Sequence, residues 1–142
     1  MQSLSFTNLR VNVEEKAHPI YIELTRGSAD KAEDVPFVKM PDLFVAAACI
    51  GAKENKYKEL SKKKDIFYAD ALDAKIQIPI LITLAYKYTN DLDKLTDARY
   101  ILNIAEAWAN GGINLLHEQV VTVKGLRPLY RFVDLVLNES SN

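Results

Sequence analysis

Cysteine and histidine are scarce in this sequence. Its 142 residues contain one Cys and two His, too few for an internal disulfide or for a zinc site built from Cys and His side chains. Cys49 also lies in an apolar run, where a thiol normally stays protonated and unreactive. The sequence therefore predicts no disulfide, no metal site of this type and no catalytic cysteine. We expect packing to supply the stability and predict no cofactor.

Long apolar runs and an excess of one charge are missing as well. The longest run, residues 43–50, has eight residues, against about 20 for a membrane-spanning helix. The first residues lack the basic and apolar regions of a secretory signal, which predicts a cytoplasmic protein without membrane contact. The formal charge is -1, so no field of the whole molecule attracts nucleic acid or an anionic membrane.

The composition is that of an ordinary globular domain, with 49% hydrophobic and 26% charged residues. We predict a single domain over residues 1–142 that is mainly α, a bundle of five or six short helices with one minor N-terminal β-strand or hairpin. Residues 1–13 are predicted as an extended arm or strand and residues 138–142 as a frayed tail. The helices are expected at residues 18–27, 40–52, 79–88, 91–108 and 113–121 and after Pro128. Residues 66–77 are predicted as irregular, with room for one brief strand.

Three positions set the expected helix boundaries. Gly51 is predicted to end the apolar helix at the centre of the bundle, and Asp91 to cap a later helix. Asn110-Gly111-Gly112 interrupts the helical pattern. A glycine pair in a helix marks either a break or a place where another backbone packs very close, and the sequence leaves both open.

A lysine-rich segment, residues 53–64, departs from the overall neutrality. It carries a local charge of +4 from six lysines and two glutamates. Its candidate DNA-binding residues are Lys53, Lys56, Tyr57, Lys58, Lys62, Lys63 and Lys64. Lysines with an interleaved aromatic can contact a phosphate backbone without reading its sequence. A solvated loop is the alternative interpretation of the same pattern.

Acidic residues offer a second kind of chemistry, a Mg²⁺-dependent nuclease. Asp42, Glu54 and Lys56 are the residue types of such a site, in which carboxylates hold the metal and lysine stabilises charge. A turn between paired strands is required, and the Ala-rich run after Asp42 lacks one. Asp65, Asp70 and Asp73 are an alternative set, without the regular spacing of a calcium loop. We predict that the protein is not an enzyme.

Two stretches resemble a known family. Residues 35–51, with Pro-Phe followed by Asp-Leu-Phe, an Ala-rich run and Gly, and residues 105–112, Ala-Glu-Ala-Trp-Ala-Asn-Gly-Gly, are similar to the accessory proteins associated with bacterial DNA phosphorothioation (dnd) systems. The matching positions are Phe37, Asp42, Phe44, Gly51, Glu106, Trp108, Asn110, Gly111 and Gly112. Their residue types indicate structural roles in a core, at a helix end and at a close contact.

The resemblance implies a role in DNA modification, restriction and phage defence but no reaction. We therefore predict an accessory protein that binds other proteins of such a system, and also the backbone of duplex DNA through residues 53–64. The alternatives are the small Mg²⁺-dependent nuclease and an oligomerising scaffold with no nucleic-acid contact. A homo-oligomer is compatible with each of them.

Overall fold

A computed structural model describes residues 4–25 and 39–121 of the chain. Within them lie four α-helices and two β-strands, which confirms the prediction of a mainly α fold with a minor N-terminal strand. In chain order they are β1 (Arg10–Glu14), α1 (His18–Thr25), α2 (Met40–Lys53), β2 (Lys63–Tyr68), α3 (Gln77–Thr89) and α4 (Ala98–Val121). Phe37, the predicted helix after Pro128 and the predicted tail lie outside the described residues.

The two strands pair in an antiparallel two-stranded sheet, although α1 and α2 lie between them in the sequence. Its register runs from Arg10 opposite Tyr68 to Glu14 opposite Lys63, with a shift between Val11 and Asn12. β1 therefore starts later than the predicted arm. β2 overlaps the segment for which the sequence left room for a brief strand, but begins three residues before it, at Lys63. Val11 is fully buried, so one face of β1 belongs to the core.

Helix α2 lies at the centre of the molecule, as its apolar sequence predicts. It packs mainly against α4 and also against α1 and α3. Leu43 and Phe44 are fully buried on α2, and Ile101 and Ile113 on α4; burial of each such side chain contributes about 1.5–3 kcal/mol. Among the described residues, no helix is long and apolar enough to cross a membrane.

The predicted helix over residues 91–108 starts too early. The Asp91 carboxylate accepts a hydrogen bond from the Asp93 amide at 3.0 Å, and so caps a short 3-10 turn instead of an α-helix. α4 begins at Ala98, after Asp97, whose carboxylate accepts from the Arg99 amide at 2.9 Å. Two aspartates compete as caps, and the later one starts the helix. Leu92 is consequently 70% exposed and lies outside the helical stripe.

The glycine pair does not break α4, which continues through it to Val121. A Cβ atom on Gly112 would lie 2.0 Å from the Ala47 carbonyl oxygen, and one on Gly51 would lie 1.9 Å from that of Trp108. The backbones of α2 and α4 are therefore in contact where they cross. Of the two alternatives, close packing is confirmed for Gly112. The prediction that Gly51 ends α2 is wrong, because the helix continues to Lys53 and Gly51 serves the crossing.

Candidate nucleic-acid interface

Helix α4 connects the core to the lysine-rich segment. Residues 106–112 of α4 include Glu106, Trp108, Asn110, Gly111 and Gly112, the second set of residues on which the family resemblance rests, and they point to several sides of the helix. All but Gly111 are buried, and Gly111 is half-buried. Each residue has a different partner, and together they join α4 to β1, to α2, to α3 and to residues 56–59.

Glu106 joins α4 to β1. Its side chain is 2% exposed, and its Oε2 accepts hydrogen bonds from the Asn12 amide at 2.9 Å and from Arg99 Nη2 at 2.6 Å. Arg99 Nη1 donates in turn to the Arg10 carbonyl at 2.7 Å. Burial raises the pKa of Glu106, and the Asn12 amide and the Arg99 guanidinium offset part of that rise. A buried carboxylate thus depends on two specific donors.

Asn110 and Gly111 hold the middle of the lysine-rich segment. Asn110 Nδ2 donates to the Lys58 carbonyl at 3.1 Å, and the Lys58 amide donates to the Ala107 carbonyl at 3.1 Å. A Cβ on Gly111 would lie 1.7 Å from the Lys56 carbonyl oxygen. The absence of a side chain at Gly111 therefore lets the segment lie directly on α4.

Glu14 of β1 holds the far end of the segment. Its carboxylate accepts from the Ser61 hydroxyl at 2.6 Å, from the Ser61 amide at 2.8 Å and from the Lys62 amide at 3.2 Å. These bonds lower the pKa of Glu14, and the bond from the Ser61 hydroxyl has the largest effect. Each bond favours the ionised form. The Glu15 amide also donates to the Lys62 carbonyl at 2.8 Å. The segment is thus attached at its middle and at its end.

All six lysines of the segment are exposed. Lys53 ends α2, Lys63 and Lys64 begin β2, and the others lie between these elements. Lys62 Nζ is 3.9 Å from the Glu15 carboxylate, and both side chains are more than half exposed, so this pair contributes little to stability. The structure places the predicted DNA-binding residues along one connection between α2 and β2.

Two shallow depressions border the segment where it meets α4. The larger, about 470 Å³, is lined by Lys56, Tyr57, Lys58 and Gly111 among others. A second, about 320 Å³, shares Lys58, Asn110 and Asn114 with it and adds Lys16 from the turn after β1. Lysines from two parts of the chain thus line these neighbouring depressions, together with the acids Glu14, Glu59 and Glu118.

Tyr57 is attached to the core through aromatic contacts. Its ring stacks on that of Tyr88 with centroids 4.0 Å apart and an interplanar angle of 13°, and meets Trp108 edge-on at 5.0 Å. Trp108 Nε1 donates to the Leu84 carbonyl of α3 at 3.0 Å. Burial is the main cause that raises the pKa of Tyr57, so its phenol stays neutral. The segment is therefore also fixed to α3.

The acidic residues of the nuclease hypothesis are not brought together. Asp42 lies in the first turn of α2 and accepts from Gln77 Nε2 at 2.8 Å, whereas Glu54 directly follows the end of the same helix. At about 1.5 Å of rise per residue, this helix separates Asp42 from Glu54 by about 18 Å. One metal ion cannot bridge that distance.

The second acidic set has other partners. Asp65 lies 3.6 Å from Arg10 Nη1, and the Asp73 carboxylate accepts from the Lys75 and Ile76 amides at 2.7 and 3.1 Å. Asp70 lies in a 3-10 turn after β2. Within residues 4–25 and 39–121, no group of three or more His, Cys, Asp or Glu side chains is placed to hold a metal ion.

Comparison with known proteins places this arrangement in a family. The family model described as DNA sulphur modification system-associated protein 4 matches residues 10–140. The chain belongs to this family. The match includes both stretches on which the resemblance rests, and it confirms the predicted relation to dnd-associated accessory proteins. No curated protein and no solved structure matches the chain.

In this member of the DNA sulphur modification system-associated protein 4 family, sequence reasoning missed several residues of the interface. Arg99, Asn12 and Glu14 make its polar contacts, and Tyr88 completes its aromatic cluster. Arg99 and Glu106 are seven residues apart, two helical turns, which could have indicated a pair on one face. The contacts of Asn12, Glu14 and Tyr88 join residues distant in sequence, so no local sequence pattern predicts them.

Proposed function

We propose that this protein is a non-enzymatic accessory component of a DNA sulphur modification system that contacts the phosphate backbone of DNA through residues 53–64. Its family name supports the association with such a system and with the other proteins in it. The observation that carries the DNA contact is the attachment of the lysine-rich segment to β1 and α4. Asn110 holds the Lys58 carbonyl, and Glu14 holds the amides of Ser61 and Lys62.

This attachment matters because an ordered binding surface loses less entropy on association. A disordered lysine loop would have to fix its backbone as it binds. Here the backbone of the segment is already held, and the remaining cost is the ordering of lysine side chains. The exposed ammonium groups can release counterions from DNA as they approach phosphates, which gives affinity without sequence preference.

The charges around the segment are consistent with a local contact. Glu54 and Glu59 are the acids within it, and Lys16 adds a positive charge beside Lys58. The carboxylate of Glu14 faces backbone amides and the Ser61 hydroxyl, so its charge is partly satisfied within the protein. A polyanion can therefore approach this positively charged segment although the net charge of the whole protein is -1.

The test is a salt titration of duplex binding by fluorescence anisotropy. We expect affinity for a labelled duplex that falls steeply between about 50 and 200 mM salt, and that does not depend on its sequence. Replacement of Lys62, Lys63 and Lys64 together by glutamate should abolish this binding, because each lysine becomes a repulsive charge.

A matched control carries the same change in net charge elsewhere. Lys39, Lys75 and Lys94 are exposed and lie outside the segment, and their combined replacement by glutamate should leave most of the affinity. Circular dichroism would verify that both triple variants fold. Absence of duplex binding at low salt, or equal losses in the two variants, would refute the proposed DNA contact.

A further inference from the structure

We propose that Tyr57 and Tyr88 form a stacking platform for an unpaired base, so that the protein prefers single-stranded or locally opened DNA to an intact duplex. This inference rests on the proposed DNA contact and specifies the form of DNA that is bound. Its basis is the juxtaposition of a partly exposed, parallel pair of aromatic rings with the lysine-rich segment.

The ring geometry is that of a stack that can be extended. The centroids of Tyr57 and Tyr88 are 4.0 Å apart with the rings 13° from parallel, closer than the roughly 4.5–7 Å usual for aromatic pairs, so the two rings overlap face to face. Trp108 lies edge-on to both rings, at 5.0 Å from Tyr57 and 6.3 Å from Tyr88. Because Trp108 is itself 2% exposed, the pair is supported from the core.

Exposure differs between the two rings. Tyr57 is half-buried, whereas Tyr88 is 46% exposed. Tyr88 is therefore the more exposed member of the stack. A nucleobase has a flat π-face whatever its identity, and stacking on aromatic side chains is how proteins bind single strands without sequence preference.

Positive charge surrounds these rings on both elements that carry them. Tyr57 lies between Lys56 and Lys58 in the sequence, both exposed. Lys87 precedes Tyr88, and its Nζ donates to the Ala52 carbonyl and lies 5.8 Å from the centre of the Trp108 ring. An aromatic surface bordered by lysines complements a strand that offers bases and phosphates together. An apolar protein partner would add no counter-charge beyond the nearby Glu14 and Glu59, which favours the nucleic acid.

An intact duplex cannot use the platform, because its bases are already stacked and paired. A single strand can place a base on Tyr88 while its neighbouring phosphates approach Lys56, Lys58 and the rest of the segment. The two kinds of contact are therefore separable. Loss of the Tyr88 ring should weaken binding of single strands more than the backbone contact with duplex, because Asn110 and Glu14 still hold the segment.

The experiment measures the affinity of the full chain for three labelled probes of equal length: an oligothymidylate, an abasic strand with the same phosphates, and a duplex. We expect the oligothymidylate to bind more tightly than either of the others. Tyr88→Ala should lower its affinity by about 5- to 150-fold, with smaller losses for the abasic strand and the duplex. Tyr88→Phe should retain the affinity, because it keeps the ring.

Tyr86→Ala is the matched control. Tyr86 is 41% exposed on the same helix and belongs to none of these ring contacts, so its loss should change no probe's affinity. Equal binding of the oligothymidylate and the abasic strand, or an unaffected Tyr88→Ala variant, would overturn the platform while duplex binding could still uphold the proposed function. Failure of all three probes to bind would overturn both.

Discussion

Two contacts along α4 hold the molecule together by opposite means. Where α2 crosses α4, Gly51 and Gly112 remove side chains so that two backbones touch. One and a half turns earlier, Glu106 places a carboxylate among buried groups to reach β1. The first contact depends on shape alone. The second depends on charge and on hydrogen-bond donors from two other residues.

The two contacts tolerate different kinds of substitution. A backbone contact has no side chain that could adopt another rotamer, so an added methyl group must move a whole helix. A buried carboxylate can be replaced by a neutral group of the same shape, provided that its donors keep an acceptor. The crossing should therefore be sensitive to volume and insensitive to pH, and the Glu106 contact the reverse.

The largest expected effect is that of Gly112→Ala. Its Cβ would lie 2.0 Å from the Ala47 carbonyl oxygen, so α2 and α4 must separate. We expect a loss of at least about 3 kcal/mol in the free energy of unfolding, measured by urea denaturation followed by circular dichroism. In an uncrowded helix the same substitution stabilises by about 1 kcal/mol. A more stable Gly112→Ala variant would therefore rule out the backbone contact.

Glu106→Ala should have the next largest effect. It leaves the Asn12 amide without its acceptor and the Arg99 guanidinium, 35% exposed, without its counter-charge. A fully buried pair would cost about 3–5 kcal/mol to break; partial exposure of Arg99 reduces the expected loss to about 2–3 kcal/mol. Glu106→Gln keeps an acceptor of similar shape and should lose less. Equal stability of the alanine variant and the unaltered protein would show that this carboxylate does not hold β1.

The smallest expected effect is the contribution of Glu106 to the pH dependence of the free energy of unfolding. Burial raises its pKa above the usual 4.5, so the folded protein retains this proton over a range in which the unfolded chain has released it. The stabilisation is complete below the usual pKa and is lost as pH rises through the folded value. The lowered pKa of Glu14 acts in the opposite direction.

A difference measurement isolates this contribution. The free energy of unfolding of the unaltered protein, relative to that of Glu106→Gln, should decrease as pH rises from about 4 to about 7. The contribution of Glu14 is common to both proteins and cancels. The loss in the free energy of unfolding caused by Gly112→Ala should be the same at every pH. A difference that grows with pH would contradict the direction given for Glu106.

Local patterns were enough for much of the fold. The Pro41 start and continuous apolar sequence of α2, and the three-to-four spacing of α3 and α4, identify helices because each depends on neighbours within one or two turns. The start of α4 was predicted wrongly because Asp91 and Asp97 are equally good caps by residue type.

The candidate interface was predicted in part, for a related reason. The lysine-rich segment is visible as composition, and the glycine pair as an interruption of a helical pattern. What holds them together is not visible, since Lys58 meets Asn110 and Glu14 meets Ser61 across 52 and 47 residues. The prediction for Gly51 failed because a glycine near the end of a helix normally marks its termination, and here it meets another backbone.

The contacts of α4 with β1 also have a consequence for aggregation. A strand paired on one side leaves its other edge open to strands of other molecules. On β1, the Arg10 carbonyl accepts from Arg99 and the Asn12 amide donates to Glu106. A third strand would have paired with these same backbone groups. Side chains of a helix thus occupy this edge, and they protect the β1 side of the sheet from extension by a neighbouring copy.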